Sequence, residues 1–169
     1  MRIVLKLMRS VSLAAGLALA LAAIPAMAAV CGAGERQPGP QDDALRRFAQ
    51  DVGLKEIDAF VGVANTLHRT GALPACYLTK RAAEARGWRP GSDLWRVAPG
   101  DAIGGDRFSN RERRLPASYR GHYREADLDY AGGHRGPARL IYVENGQGTW
   151  RQWVSVDHYR RFYRLPEAE

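Results

Sequence analysis

The 169-residue chain carries 25 lysines and arginines against 18 aspartates and glutamates, a formal net charge of +7, with only two cysteines and four histidines. No cysteine and histidine set stands at zinc-ligand spacing, so no structural metal is expected. The charge suggests a polyanionic partner without establishing one.

At the N-terminus, Arg2, Lys6 and Arg9 precede or open an apolar run from Val11 to Ile24, and Ala26-Met27-Ala28 follows it before Ala29. The run is shorter than the ~18 residues that argue for a membrane span, and the alanine-x-alanine triplet fits signal-peptidase cleavage, so residues 1–28 read as a secretory signal peptide. A retained anchor is the weaker alternative. A lipid anchor on Cys31 ranks lower still, because Val30 is bulkier than the small residue usual before such a cysteine. Removing 28 of 169 residues leaves 141, the usual size of one domain. Three of the 25 basic residues leave with the leader, so the mature balance is 22 against 18, or +4. Its cations are nearly all arginine, which suits bidentate phosphate contact, although a GC-rich genome produces the same bias. The expected destination is the periplasm or the medium, with no stable membrane association.

From Ala29 to about Gln41 the composition is rich in glycine, proline and polar residues and reads as a linker or arm. Residues 29–55 as a whole form an N-terminal arm, with a short helix around Asp43 to Val52 that gathers Leu45, Phe48 and Ala49 on one face. Cys31 and Cys76 allow one intramolecular pair, and an exported protein meets an oxidising compartment, so a disulfide is the working hypothesis. It would close a loop of about 46 residues, with roughly 4 kcal/mol as the chain-entropy ceiling.

Ile57, Phe60, Val61, Ala64 and Leu67 recur at helical spacing until Gly71, which predicts an amphipathic helix. Thr79 can cap a second helix running to Gly87, and Asp93 a short turn ending before Pro99. Beyond Ala102 the period becomes alternating. Candidate strands are Ala102 to Phe108, His122 to Asp129, Ala138 to Val143, Trp150 to Ser155 and Arg161 to Leu165, with Asn145-Gly146 in the turn between the third and fourth. Helices followed by strands give an α+β class, with N-terminal helices packed on a roughly five-stranded antiparallel sheet.

On the second candidate strand, Tyr123, Glu125 and Asp127 share one face, while Ala126 and Leu128 point into the core. A solvated strand alternates in the same way, so Glu125 needs its neighbours to stand out. Imidazole is the side chain whose ordinary charge change falls near neutral pH, and His158 sits in Asp157-His158-Tyr159 on the turn after a strand, where a side chain can reach over a sheet face. Arg135 and Arg139 can converge on one anion, with Asp127 fixing their orientation. Lys80 opens the second helix. The bland alternatives are a surface histidine and solvated cations, as for Arg46, Arg47 and Arg86.

In chain order, FVGVANTL, LPACYLTK, Gly87-Trp88, VAPGDAIGGDRFSNRE, YREADLDY, HR, RLIY and DHYRRF resemble the barnase family of secreted bacterial guanyl-preferring ribonucleases from about Ile57 to Leu165. The resemblance implies a ribonuclease domain over 56–165 and a tail at 166–169. It implies that Glu125 is the general base and His158 the general acid, with Lys80, Arg135 and Arg139 stabilising the phosphoryl group. Such a set makes chemical sense unaided. It implies guanine recognition by Ser109, Asn110, Arg111 and Glu112: backbone N–H groups at Asn110 and Arg111 facing O6, and a buried Glu112 carboxylate accepting from N1 and N2. Tyr159 would stack on a base. Phe108 would support the loop, with core packing an equal alternative. Asp127 would orient the two arginines, and Asp106 would orient Lys80 or the loop. The implied activity is metal-independent, cofactor-free cleavage of single-stranded RNA after guanosine, through a 2′,3′-cyclic phosphate. The implied protein is a monomer that meets RNA and an acidic, barstar-like inhibitor protein covering Arg111, Arg135, Arg139 and His158.

Departures from the family pattern are Tyr123 for tryptophan, His134 for phenylalanine, a longer hairpin from Glu144 to Thr149, the N-terminal extension, and Cys76, which has no barnase counterpart. His134 adds a titrating group near the expected phosphate site. The alternatives are a non-catalytic RNA-binding relative and an inhibitor-binding module.

Overall fold

The computed structural model describes residues 28–35, 41–117, 119, 121–144 and 150–166. Residues 1–27 of the expected leader, the Asn145-Gly146 turn and residues 167–169 lie outside them. Among the described residues no helix is long and apolar enough to cross a membrane.

Helix α1 (Asp42–Val52) buries Leu45 and Ala49 against α2 (Ile57–Thr70), which buries Phe60, Val63 and Leu67. The N-terminus of α2 has no cap from its own Glu56; instead Asp129, far along the chain, accepts the Lys55 and Glu56 N–H groups at 3.0 Å each. Two otherwise orphaned donors are thereby satisfied by a tertiary contact. Helix α3 (Lys80–Ala85) is capped by Thr79, whose hydroxyl accepts from Ala82 N–H, and a 3₁₀ turn (Leu94–Arg96) is capped by Asp93.

The sheet has six strands in sequential order: β1 (Tyr77–Leu78), β2 (Ala102–Arg107), β3 (Arg124–Asp127), β4 (Arg139–Glu144), β5 (Trp150–Ser155) and β6 (Tyr163–Arg164). The last five pair antiparallel. The extra strand, β1, runs parallel to β2 through Tyr77 opposite Ala102 and Leu78 opposite Ile103. Two residues are too few to show an alternating pattern, which is why the sequence predicts five strands.

In β2, Gly104 pairs with Ala126 and Asp106 with Glu125, so Gly105 is an extra residue, at φ 89. This is a bulge that needs glycine for its left-handed backbone. Gly104 is constrained differently: a Cβ there would lie 2.5 Å from the Tyr77 ring.

The main core fills the space between α1, α2 and the sheet through Leu45, Phe60, Leu67, Leu140 and Val154, each worth about 1.5–3 kcal/mol on full burial. A second cluster joins Trp88, Leu94, Ile103 and Tyr130 to Cys31, which is disulfide-bonded to Cys76 just before β1. The turn carrying Cys31 presses on α2 so closely that a Cβ on Gly62 would meet Gly32 O at 2.1 Å. A third cluster, Leu115, Tyr123, Ile141, Val143 and Trp153, lies on the Tyr123 face of the sheet. The expectation that the core takes only the Ala126 face is therefore corrected. Tyr123 is 8% exposed because Ile141 and Val143 of β4, Trp153 of β5 and side chains of the flanking loops cover that face as well.

Candidate active site

Strand β3 carries two carboxylates toward the third-cluster face. Glu125, with 12% side-chain exposure, accepts from Lys80 Nζ at 2.9 Å on one oxygen and from the Tyr159 hydroxyl at 2.6 Å on the other. Lys80 arrives there because α3 starts immediately after β1, and Asp106 accepts the Lys80 backbone N–H at 2.9 Å. Asp106 thus fixes the helix start instead of contacting the ammonium group.

Asp127 is buried, and Arg135 presents Nε and Nη2 to its two oxygens, the latter at 2.8 Å. Arg139 Nε stands 3.1 Å from Asp127 Oδ1, an ion pair whose N–H is not aligned for a hydrogen bond, while Nη1 donates to the Gly136 and Ala138 carbonyls. The arginines do converge on one anion, and it is Asp127. Burial opposes charge on Arg135, but the Asp127 hydrogen bonds and the nearby Glu125 outweigh it and hold the guanidinium above its ordinary pKa. Its plane also lies 5.7 Å from the Trp88 ring.

His158 and Tyr159 both adopt positive φ, 55 and 69, on a turn organised by Asp157. The Asp157 carboxylate accepts from Ser155 Oγ, the Arg160 and Arg161 N–H groups and Arg161 Nε, and the Arg161 hydrogen bond leads in drawing its pKa down to about 2. Fully buried Ser155 accepts from Tyr159 N–H at 2.9 Å. The result is an exposed His158 ring, 4.9 Å from the Tyr159 ring, with no hydrogen bond occupying it among the described residues. Burial, then the Glu125 hydrogen bond and charge, push the Tyr159 phenol well above its ordinary range, so it remains a donor to Glu125.

The loop Phe108–Arg114 rests on aromatic contacts, Phe108 lying 5.2 Å from Tyr159 and 6.1 Å from Phe162. Phe108 therefore both packs in the third cluster and supports the loop. Asn110 clamps the loop by donating to Leu115 O at 2.7 Å and accepting Leu115 N–H at 3.1 Å. A cleft of about 190 Å³ lies between this loop and Tyr159 and Phe162, lined also by Ser109, Arg111 and Glu112. Two expectations change here. The Glu112 side chain is 71% exposed and paired with Arg114 at 2.7 Å, not buried, and the Arg111 N–H is engaged by Ser109 O at 2.8 Å. Arg114, which also donates to Arg160 O, ties the loop to the His158 turn and was not singled out from sequence. Its nearness to Glu112 in SNRERR was the available signal. The Tyr159 hydroxyl contact was also missed, since a bond across 34 residues leaves no trace in local spacing. His134 is exposed and makes no hydrogen bond or ion pair with the cluster among the described residues.

A carboxylate held between an ammonium and a phenol, beside a free imidazole and two anchored guanidinium groups on an α+β sheet, defines a nuclease-type site. The chain matches the ribonuclease family over residues 61–166. It is 41% identical to a ribonuclease of Bacillus intermedius over 131 residues, covering 76% of this chain and 78% of that one. It is 44% identical to a ribonuclease of Bacillus pumilus, covering 66% and 67%, and 44% identical to a ribonuclease of Heyndrickxia coagulans, covering 64% and 97%. The chain belongs to the microbial ribonuclease family and is a ribonuclease of the barnase type. The 76% coverage exceeds the stretch from Ile57 to the C-terminus, so the likeness reaches back into α1, further than the sequence motifs indicate.

Proposed function

We propose that the protein is an exported, metal-independent endoribonuclease that cleaves single-stranded RNA after guanosine. The observation that carries this reading is the Lys80–Glu125–Tyr159 contact set beside His158 and the Arg135–Asp127–Arg139 cluster. Glu125 takes the proton from the ribose 2′-hydroxyl, and the freed oxygen attacks the adjacent phosphorus in line. The P–O5′ bond breaks as His158 protonates the leaving oxygen, giving a 2′,3′-cyclic phosphate and a 5′-hydroxyl end. In a slower step His158 activates water to open the cyclic phosphate. The entering phosphoryl group offers Lys80 a second anion, while Arg135 and Arg139, anchored by Asp127, stabilise the charge that builds on its oxygens. Tyr159 orients the base carboxylate and presents its ring to the substrate.

Guanine fits the cleft beside Tyr159, with O6 toward the Asn110–Arg111 backbone and N1 and N2 toward Glu112. Because Glu112 is paired with Arg114 and the Arg111 N–H with Ser109 O, base entry exchanges these contacts for new ones. The loop held by Asn110 limits how much else must reorganise. The exposed Arg111 and His158, with Arg135 and Arg139, would offer a basic face to an acidic inhibitor protein.

The test is cleavage of four fluorogenic dinucleotide substrates differing in the 5′ base, in EDTA, by the protein lacking residues 1–28 and by its Glu125→Ala and His158→Ala variants. Rapid cutting after guanosine, lost in both variants, is the expected result. No cutting by folded wild-type protein would move the reading to an RNA-binding or inhibitor-binding relative.

A further inference from the structure

The recognition loop has a second side. Opposite the guanine-side cleft, a larger one of about 420 Å³ opens between Phe108–Arg111 and Pro116, Tyr119 and Gly121–Tyr123. Arg107, Arg111, His122 and Tyr119 line it, and no carboxylate does among the described residues. Arg107 is exposed and has no polar partner among those residues. It also stands directly opposite Arg124 in the β2–β3 register, and Arg124 is held by Gly105 O at 2.7 Å. Like charges facing each other across neighbouring strands are destabilising; Arg124 lines a different cleft, so an anion bound at Arg107 alone would offset that repulsion. Tyr119 packs edge-on against Tyr123, tilts against Trp153 and remains half-buried at the cleft wall. Unpaired cations beside an accessible aromatic ring are what single-stranded nucleic acid requires: a phosphate contact and a stacking platform.

We propose that this cleft is an upstream subsite for single-stranded RNA, taking the nucleotide on the 5′ side of the one whose 3′ phosphate is cut. This rests on the functional reading above, which sets the direction of the strand. The scissile phosphate lies at Glu125 and His158 on the 3′ side of the recognised base, so a chain continuing past the loop, away from Glu125, runs toward its 5′ end. Arg107 and His122 meet the upstream phosphate, and Tyr119 meets the base.

The test compares a guanosine dinucleotide with trinucleotides carrying one added 5′ nucleotide, in wild-type protein and in Arg107→Ala and His122→Ala variants. Kinetics are measured on the RNA substrates, and affinity on 2′-deoxy strands, which lack the nucleophile. In wild type the added nucleotide lowers KM and the deoxy-strand Kd by about fivefold with kcat unchanged. Arg107→Ala abolishes that gain, leaves the dinucleotide kinetics as they were, and reduces the salt slope of trinucleotide binding by about one. No gain in wild type, a gain preserved in Arg107→Ala, or an equal loss on both lengths overturns the proposal. If the dinucleotide is not cut, the functional reading fails, while deoxy-strand affinity still decides the subsite. An occupant of another class, such as a protein, would leave that affinity unmoved.

Discussion

Glu125 and Asp127 sit two residues apart on one strand and point to the same face, yet they live in opposite circumstances. Asp127 is 3% exposed and paired with two arginines, Arg135 and Arg139, so its carboxylate serves as an anchor. Glu125 faces one flexible ammonium and one phenol at the edge of the cleft, partners that can be exchanged or retained as a substrate arrives. Two residues of β-sheet are enough to separate a carboxylate that anchors from one whose partners can be exchanged, because Arg135 and Arg139 close over the Asp127 end of the strand, while Glu125 faces the more exposed Lys80 and the Tyr159 hydroxyl.

Replacing each carboxylate in turn tests that contrast most severely. Glu125→Gln keeps the shape and a hydrogen-bonding acceptor, so kcat/KM should fall by about 10²–10⁴-fold while urea-unfolding stability moves by less than about 1 kcal/mol. A comparable loss of stability would erase the distinction. Asp127→Ala should instead cost about 3–5 kcal/mol in the same urea titration, since it leaves buried Arg139 and half-buried Arg135 without their counter-ion; activity falls as a consequence of their misplacement. Tyr159→Phe keeps the ring and removes only the donor to Glu125, and a decrease in kcat of about 3–10-fold is expected, the worth of one modest hydrogen bond. A decrease as large as that of Glu125→Gln would mean the phenol itself takes part in proton transfer.

The smallest effect concerns the turn that carries His158. Asp157 is depressed to about 2 from an ordinary 3.8, with its hydrogen bond to Arg161 as the leading cause. A carboxylate with a lowered folded-state pKa contributes its stability fully above the unfolded value and loses it as pH falls through the folded one. The turn should therefore loosen between about pH 4 and pH 2, visible as shifts in the His158 and Tyr159 NMR resonances, and Asp157→Asn should flatten that change. A turn that keeps its resonances through the window would show that Ser155 alone holds it.

Much of this arrangement was legible from residues. Helical spacing from Ile57 to Leu67 and alternation after Ala102 express burial directly, so the element types followed from period alone. Lys80, Glu125, Asp127, Arg135 and Arg139 were legible as a group because each is a charged side chain in a motif whose order the family resemblance fixes. What escaped was set by tertiary geometry. β1 is too short to carry a period. Asp129 caps a helix more than 70 residues upstream in the chain. The exposure of Glu112 depends on where Arg114 folds back. Tyr123 occupies the predicted face of its strand, but only the packing of Leu115, Ile141 and Trp153 decides that this face is dry.

The bulge at Gly105 has a consequence for how this site tolerates change. A strand assigns its side chains to faces by counting, and one extra residue inverts the count for everything after it. Before the bulge, Gly104 faces Ala126 and the helix-side core; after it, Asp106 is in step with Glu125. Straighten the strand with residue 105 still in place, and residue 105 takes the position opposite Glu125: Asp106 turns toward the helices, the Lys80 N–H loses its acceptor, and the ammonium opposite Glu125 loses its mooring. A side chain at position 105 disfavours the φ of 89 and pushes the strand toward that straight form, whereas deleting the residue leaves Asp106 in step with Glu125. The direction in which Asp106 points thus rests less on its own identity than on the one extra residue before it.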